Sequence, residues 1–257
     1  MLITGVIGYP LRLTYSPTMH NAAFKELNVE GIYYPLSVPP EGFKEIILRI
    51  RQLKFRGVNI TNPYKVEVIK YLDEMSSIAR IVGAVNTVLI KHNKMIGENT
   101  DVYGFNESLR IHNIDLENRV VLIIGAGGVA RAILYVLGKK RTQKIFVTNR
   151  TISKPCALTK KYDIAVVEIE QVRQIIGDID FVVNATSTDM HKRIVPFLKN
   201  GSMYYDTNYR FKIPERKGIR VINGIDMLLF QGAYSFSIWT EYAPPVRIMR
   251  NALKEVL

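Results

Sequence analysis

The sequence predicts an α/β protein of two domains with a cleft between them, and three observations carry that prediction. Five consecutive aliphatic residues, Val120-Val121-Leu122-Ile123-Ile124, suit a strand buried on both faces of a parallel sheet. A glycine-rich turn and a helical run opening at Ala130 follow, and residues 144–148 supply the next strand. Gly125, Gly127 and Ala130 keep the G-x-G-x-x-[G/A] spacing of a Rossmann-type dinucleotide-binding turn. Unpaired backbone N–H groups and the helix dipole favour a pyrophosphate there. The third observation is length, since 257 residues are long for one core and comfortable for two.

The end of the second strand selects the dinucleotide. An NAD site places Asp or Glu about twenty residues beyond the turn, to accept from the ribose 2′-hydroxyl. This chain has Asn149-Arg150-Thr151 there, with Lys154 just beyond. A carboxylate repels a 2′-phosphate, whereas a guanidinium holds one through two parallel charge-assisted bonds. The expected cofactor is therefore NADP(H). Gly125, Ala126, Gly127, Gly128, Val129 and Ala130 would line the turn, and Asn149, Arg150, Thr151 and Lys154 the strand end.

Composition narrows the rest. A hydrophobic content of 47% with 23% charged residues belongs to a soluble globular class. No apolar run approaches the roughly twenty residues of a membrane span. The segment Met1-Leu2-Ile3-Thr4-Gly5-Val6-Ile7-Gly8 has no basic n-region and reads as a strand, not a signal peptide. One cysteine, Cys156, allows no internal disulfide and no cysteine cluster for a metal, which fits a reducing cytoplasm. The net charge of +12 raises nucleic acid as a partner. Its lysines and arginines are scattered, however, and the densest cluster, Lys139-Lys140-Arg141, complements a helix C-terminus. A small-molecule substrate is expected, with no nucleic acid or membrane partner, on a monomer or homodimer.

Taken in order, residues 2–8 form a first strand and 17–27 a helix, with Ser16 as its N-cap and Pro17 at N1. Residues 32–38 suggest a strand, and 41–53 a helix with Phe43, Ile46, Ile47 and Ile50 on one face. A short strand at 57–61 ends at Asn62-Pro63, and 65–75 read as a helix. Residues 84–90 and 95–97 form a hairpin around His92-Asn93-Lys94. From residue 102 an entry helix leads into the nucleotide unit, with further strands at 164–167, 181–185, 203–206 and 219–222 and helices from Lys154 and near Val172. Residues 227–257 are helical, broken at Pro244-Pro245. No Ser/Gly linker occurs, so helices should join the domains: 1–101 completed by 233–257, and 102–232.

In the first domain, polar groups gather at strand ends: Thr14, Ser16, Asn59, Thr61, Lys65, Asn86, Thr87 and Asp101. A polyhydroxylated small molecule needs such hydroxyls and amides, because each buried hydroxyl left unpaired costs free energy. Singly, each residue has a plainer reading: Ser16 as a cap, Asn59 in a turn, Lys65 as a solvated lysine.

Together these stretches resemble the shikimate dehydrogenase family over almost the whole chain. The similar motifs are Thr14-Tyr15-Ser16-Pro17, Asn59-Ile60-Thr61-Asn62-Pro63-Tyr64-Lys65, Gly83-Ala84-Val85-Asn86-Thr87 and Gly97-Glu98-Asn99-Thr100-Asp101. Further on come Asn184-Ala185-Thr186-Ser187, Asp206-Thr207-Asn208-Tyr209 and Gly224-Ile225-Asp226-Met227-Leu228-Leu229-Phe230-Gln231. Thr14 stands where the family has serine, and the segment from Arg210 to Pro214 departs from the family pattern. The resemblance implies NADPH-dependent reduction of 3-dehydroshikimate to shikimate in aromatic biosynthesis, with Lys65 and Asp101 catalytic. It also implies substrate contacts from Thr14, Ser16, Asn59, Thr61, Asn86, Tyr209 and Gln231, and adds Thr186 and Gly224 to the cofactor side. The nearest alternative is a quinate/shikimate dehydrogenase with relaxed substrate or cofactor use. A non-catalytic NADP-binding regulatory protein is the other, and would have no need of both Lys65 and Asp101.

Overall fold

Two stretches of buried β-branched and aliphatic residues each nucleate a sheet. The computed structural model describes every residue except Arg12, Arg210, Lys212 and Leu257. The chain divides into two compact units, Met1–Glu107 with Leu228–Leu257, and Ser108–Met227. Both divisions fall inside helices, about six residues after the boundary expected at 101 and five before the one expected at 232.

The first unit opens with β1 (Leu2–Gly8), α1 (Ser16–Glu26), β2 (Gly31–Ser37), α2 (Pro40–Arg49) and β3 (Phe55–Ile60). It continues through β4 (Glu74–Met75), α3 (Ser77–Val82), β5 (Thr87–Lys91) and β6 (Lys94–Glu98) to α4 (Asp101–Ile111). Its sheet runs β2-β1-β3-β5-β6-β4, parallel where β1 meets β2 and β3, antiparallel across β3, β5 and β6. The β5–β6 hairpin turns at His92 and Asn93, both at positive φ, where Asn and His are tolerated best. Phe43, Ile47 and Ile50 of the α2 segment are fully buried against Val58, Ile60 and Tyr64, as the helical spacing requires.

Two local expectations fail. Ser16 is not an N-cap: Tyr15 holds that position, the helix already includes Ser16, and no side chain caps it. Nor is 65–75 one helix. A 3₁₀ turn at Glu67–Tyr71 gives way to β4, which pairs in parallel with β6 through Glu74↔Ile96 and Met75↔Gly97. A sheet edge decided the conformation there, over local helical preference.

The second unit carries β7 (Val120–Ile124), α5 (Gly128–Leu137), β8 (Lys144–Thr148), α6 (Ser153–Leu158) and β9 (Ala165–Val166). After them come α7 (Val172–Ile175), β10 (Phe181–Asn184), α8 (His191–Ile194), β11 (Met203–Asp206) and β12 (Arg220–Asn223). All six strands are parallel, in the order β9-β8-β7-β10-β11-β12. This is the 3-2-1-4-5-6 doubly wound arrangement, whose order reverses between β7 and β10. The chain then returns through α9 (Ile225–Thr240) and α10 (Val246–Lys254), and Trp239, Phe236 and Met249 pack into the first unit's core. No helix among the described residues is long and apolar enough to cross a membrane.

Candidate active site

In the first unit, the carboxyl end of β3 and the starts of β5 and α4 converge on one buried polar cluster. Lys65 Nζ lies 2.5 Å from Asp101 Oδ2. The residues are only 6% and 4% exposed, so the charges are screened by each other and not by water. Asn86 holds the second oxygen: its Nδ2 has three acceptors within reach, Asp101 Oδ1 at 3.0 Å, Thr100 Oγ1 at 2.8 Å and Gln231 Oε1 at 3.1 Å. The Thr100 backbone N–H donates back to Asn86 Oδ1 at 2.6 Å, which fixes the amide's orientation. Gln231 reaches this cluster from α9 and is anchored by Nε2 on the Leu228 carbonyl at 3.0 Å.

Asn59, expected to contact substrate, also has protein partners on its amide. Its Oδ1 accepts from Tyr33 at 2.8 Å. Its Nδ2 lies 3.0–3.1 Å from the Asn86 carbonyl, Thr87 Oγ1 and Ser235 Oγ. The Nδ2 hydrogens are thus taken by protein partners, and Oδ1 keeps one lone pair. Thr61 follows β3, and a Cβ at Gly8 would overlap its methyl group, so Gly8 makes the room Thr61 occupies. Thr14 and Ser16 stand at the start of α1, where Ser16 N–H meets Thr14 Oγ1 at 3.4 Å. Tyr209 belongs to the second unit, in a bend after β11. The departure expected after it falls partly on Arg210 and Lys212, outside the described residues.

Four members of the cluster escape a motif reading: Tyr33, Thr87 as a hydrogen-bond bridge, Thr100 as an acceptor, and Ser235. Ser235 lies four residues after Gln231 on α9, and that spacing on one helix face was the available signal.

In the second unit, the turn after β7 has the form a pyrophosphate site needs. Gly125 sits at φ +116° and donates its N–H to the Thr148 carbonyl at 2.8 Å. Gly127 is the N-cap of α5, which opens at Gly128, two residues before the expected Ala130. A Cβ on Gly127 would meet nothing within 4 Å, whereas one on Gly125 would press on Thr186 and Ala185. The first N–H groups of α5, from Gly128, Val129 and Ala130, have no partner within their helix. Asn149 closes the β8 end by donating to the Thr151 carbonyl at 2.9 Å, and Arg150 and Lys154 are exposed beside it. The residues therefore fit a dinucleotide: an open cradle at a helix N-terminus, cations at the next strand end, no carboxylate there.

Thr186 is held by Asn184 Oδ1, which accepts its hydroxyl at 2.8 Å. Gly224 approaches the Thr207 backbone so closely that a Cβ would collide with it. Behind both, Asp206 is fully buried; burial pushes its carboxyl up, against bonds from Asn208, Asn184 and Tyr204 that pull it down. Among the described residues no group of three His, Cys, Asp or Glu could hold a metal ion.

Three family models match consecutive stretches. They describe a shikimate dehydrogenase substrate binding domain over residues 6–88, a shikimate / quinate 5-dehydrogenase over 107–196, and a shikimate 5'-dehydrogenase C-terminal domain over 224–254. The shikimate dehydrogenase (NADP(+)) of Carboxydothermus hydrogenoformans is 37% identical, the match covering 98% of this chain and 96% of that protein. Among solved structures, shikimate dehydrogenase from Aquifex aeolicus aligns with a TM-score of 0.90 at 31% identity, over 99% of this chain and 98% of that one. Shikimate 5-dehydrogenase from Thermus thermophilus, in complex with NADP(H) and shikimate, aligns at 0.87 and 32% identity over 100% of both chains. With near full-length likeness in sequence and in fold, and the motif residues gathered as described, the chain belongs to the shikimate dehydrogenase family.

Proposed function

We propose that this chain catalyses the reversible, NADP-dependent reduction of the ketone of 3-dehydroshikimate to shikimate, a step of aromatic biosynthesis. The observation that carries this reading is the buried Lys65–Asp101 pair, backed by Asn86 on the carboxylate's other oxygen. NADPH, when bound, supplies the hydride. Negative charge then develops on the carbonyl oxygen, and an acid must neutralise it. Lys65 is that acid: its ammonium donates a proton to the oxygen and takes one back in the reverse direction. Asp101 orients the ammonium, balances its charge and accepts from a substrate hydroxyl, while Asn86 keeps the carboxylate from turning.

Thr14 and Ser16 offer hydroxyl donors for the substrate carboxylate. Thr61, Gln231 and the lone pair left on Asn86 Oδ1 take the ring hydroxyls, and Tyr209 covers the ring. Asn59 serves as a strut behind this layer, since its Nδ2 hydrogens are already taken by protein partners. The dinucleotide is held by the Gly125–Ala130 turn through backbone N–H groups, with Thr186 and Gly224 shaping its floor. Asn149, Arg150, Thr151 and Lys154 read the 2′-phosphate, the guanidinium as a two-pronged donor.

The test is to follow NADPH absorbance with dehydroshikimate, and NADP+ reduction with shikimate and quinate in parallel. Turnover of dehydroshikimate and shikimate is expected, with quinate poorer. Tight NADPH binding without turnover of any of the three would leave only a cofactor-binding protein.

A further inference from the structure

Behind Asn86, three hydroxyls from three elements close a triangle. Thr87 Oγ1 and Ser235 Oγ are 2.8 Å apart, and Thr100 Oγ1 lies 3.1 Å from each. All three residues are fully buried. Each hydroxyl has one hydrogen to give, so the triangle has a direction, and the direction decides what Asn86 does.

Asn86 Nδ2 has two hydrogens but three acceptors within reach, on Thr100, Asp101 and Gln231. Ser235 ends the chain. Its hydrogen reaches the Gln231 main-chain carbonyl at 2.9 Å, the back-bond a helical serine makes to residue i−4. Asn59 Nδ2 also lies 3.0 Å from Ser235 Oγ, but its two hydrogens have the Asn86 carbonyl and Thr87 Oγ1, which leaves the Ser235 lone pairs to accept from Thr87 and Thr100. With its hydrogen spent on Ser235, Thr100 turns a lone pair to Asn86. The second Asn86 hydrogen goes to the Asp101 carboxylate, the stronger acceptor. Gln231 Oε1 is the acceptor left over.

We propose that Ser235 is a positioning residue: by taking the Thr100 hydrogen it commits Asn86 to Asp101 and keeps the Gln231 side-chain oxygen open for a substrate hydroxyl. The inference rests on the reduction proposed above and deepens it. Without the Ser235 hydroxyl, Thr87 turns its hydrogen to Thr100 Oγ1, 3.1 Å away, and Thr100 then points its own at Gln231 Oε1, 3.4 Å away, occupying the oxygen the substrate needs. No donor is stranded by that change: the Thr87 hydrogen has Thr100, the Thr100 hydrogen has Gln231, and the two Asn59 Nδ2 hydrogens still have the Asn86 carbonyl and Thr87. The fold should therefore survive.

The experiment measures initial rates with shikimate and NADP+ for the wild type, Ser235→Ala, Thr100→Val and the double variant. Ser235→Ala should raise the KM for shikimate about tenfold, with kcat changed less and the KM for NADP+ unchanged. Thr100→Val should do the same by freeing an Asn86 hydrogen for Gln231, and the double variant should be no worse than the poorer single one. A wild-type KM in folded Ser235→Ala, or effects that multiply in the double variant, would overturn the proposal. If Ser235→Ala does not fold, Ser235→Cys replaces it. A thiol is a weak acceptor, so its KM should also rise, and an unchanged KM overturns the idea equally. A wild type that binds shikimate without turnover defeats the proposed reaction alone, and the same comparison is then made in Kd. A wild type that neither turns over nor binds shikimate defeats both.

Discussion

Lys65 Nζ and Asp101 Oδ2 stand 2.5 Å apart, out of contact with bulk water, on two segments separated by thirty-six residues. Lys65→Ala should lower kcat by on the order of 10²–10⁴, the scale of a positioned acid, with KM changed less. Lys65→Arg should rescue poorly, since a guanidinium keeps the charge but gives up its proton reluctantly and has the wrong shape. Removing one partner of a buried pair also costs about 3–5 kcal/mol of stability, so turnover must be normalised to folded protein. Near-normal kcat in folded Lys65→Ala would remove Lys65 from the chemistry.

Arg150 tests the cofactor. It is exposed at the end of β8, beside Lys154. Arg150→Asp should weaken NADPH by about 2 kcal/mol or more, as a charge-assisted bond becomes a repulsion. NADH affinity should change far less. Titrations of both cofactors decide it, and equal loss for the two would show that Arg150 does not read the 2′-phosphate.

Gly125 and Gly127 separate folding from binding within one turn. Gly125→Ala puts a side chain at φ +116° against Thr186 and Ala185, and should cost roughly 1–3 kcal/mol in a denaturant titration. Gly127→Ala meets nothing within 4 Å and should leave that midpoint unchanged. It should still weaken NADPH, because the new methyl enters the space where the dinucleotide approaches the backbone. Loss of stability in both variants with unchanged NADPH affinity would contradict this division of roles.

Much of this arrangement was legible in the sequence because it is local. The five-residue apolar run, the glycine turn and the strand behind it specify β7, α5 and β8 by periodicity alone, and Asn149-Arg150-Thr151 falls at the strand end where spacing puts it. What the sequence did not carry shares a cause in distance along the chain. Strand β4 exists because β6 lies beside it, some twenty residues on. Asn59 is a strut because Tyr33 and Ser235 reach it from positions 26 and 176 residues away. The four-residue helix α8 completes barely one turn, too little to print a helical period. Spacing could say which residues carry the chemistry; which of them face one another depends on the fold.

His20 gives a prediction in pH. Its ring stacks on Tyr33 at 4.3 Å, nearly parallel, and neither ring nitrogen has a hydrogen-bond partner. Burial pushes the imidazole down to about 3, so the folded protein keeps it neutral across the mildly acid range. The unfolded chain binds a proton there near pH 6.5. Protons thus favour the unfolded state: His20's contribution is intact above about pH 6.5 and is lost as pH falls toward about 3, at up to ~1.4 kcal/mol per pH unit. His20→Phe keeps an aromatic ring against Tyr33 and removes the titration. Because repacking shifts absolute stability, the comparison is of slopes. Between pH 6.5 and 4.5 the wild type should lose about 2–3 kcal/mol more than the variant in urea titrations, the carboxylates common to both cancelling. Parallel acid limbs for the two proteins would mean that His20 is protonated in the folded state, or reaches water there.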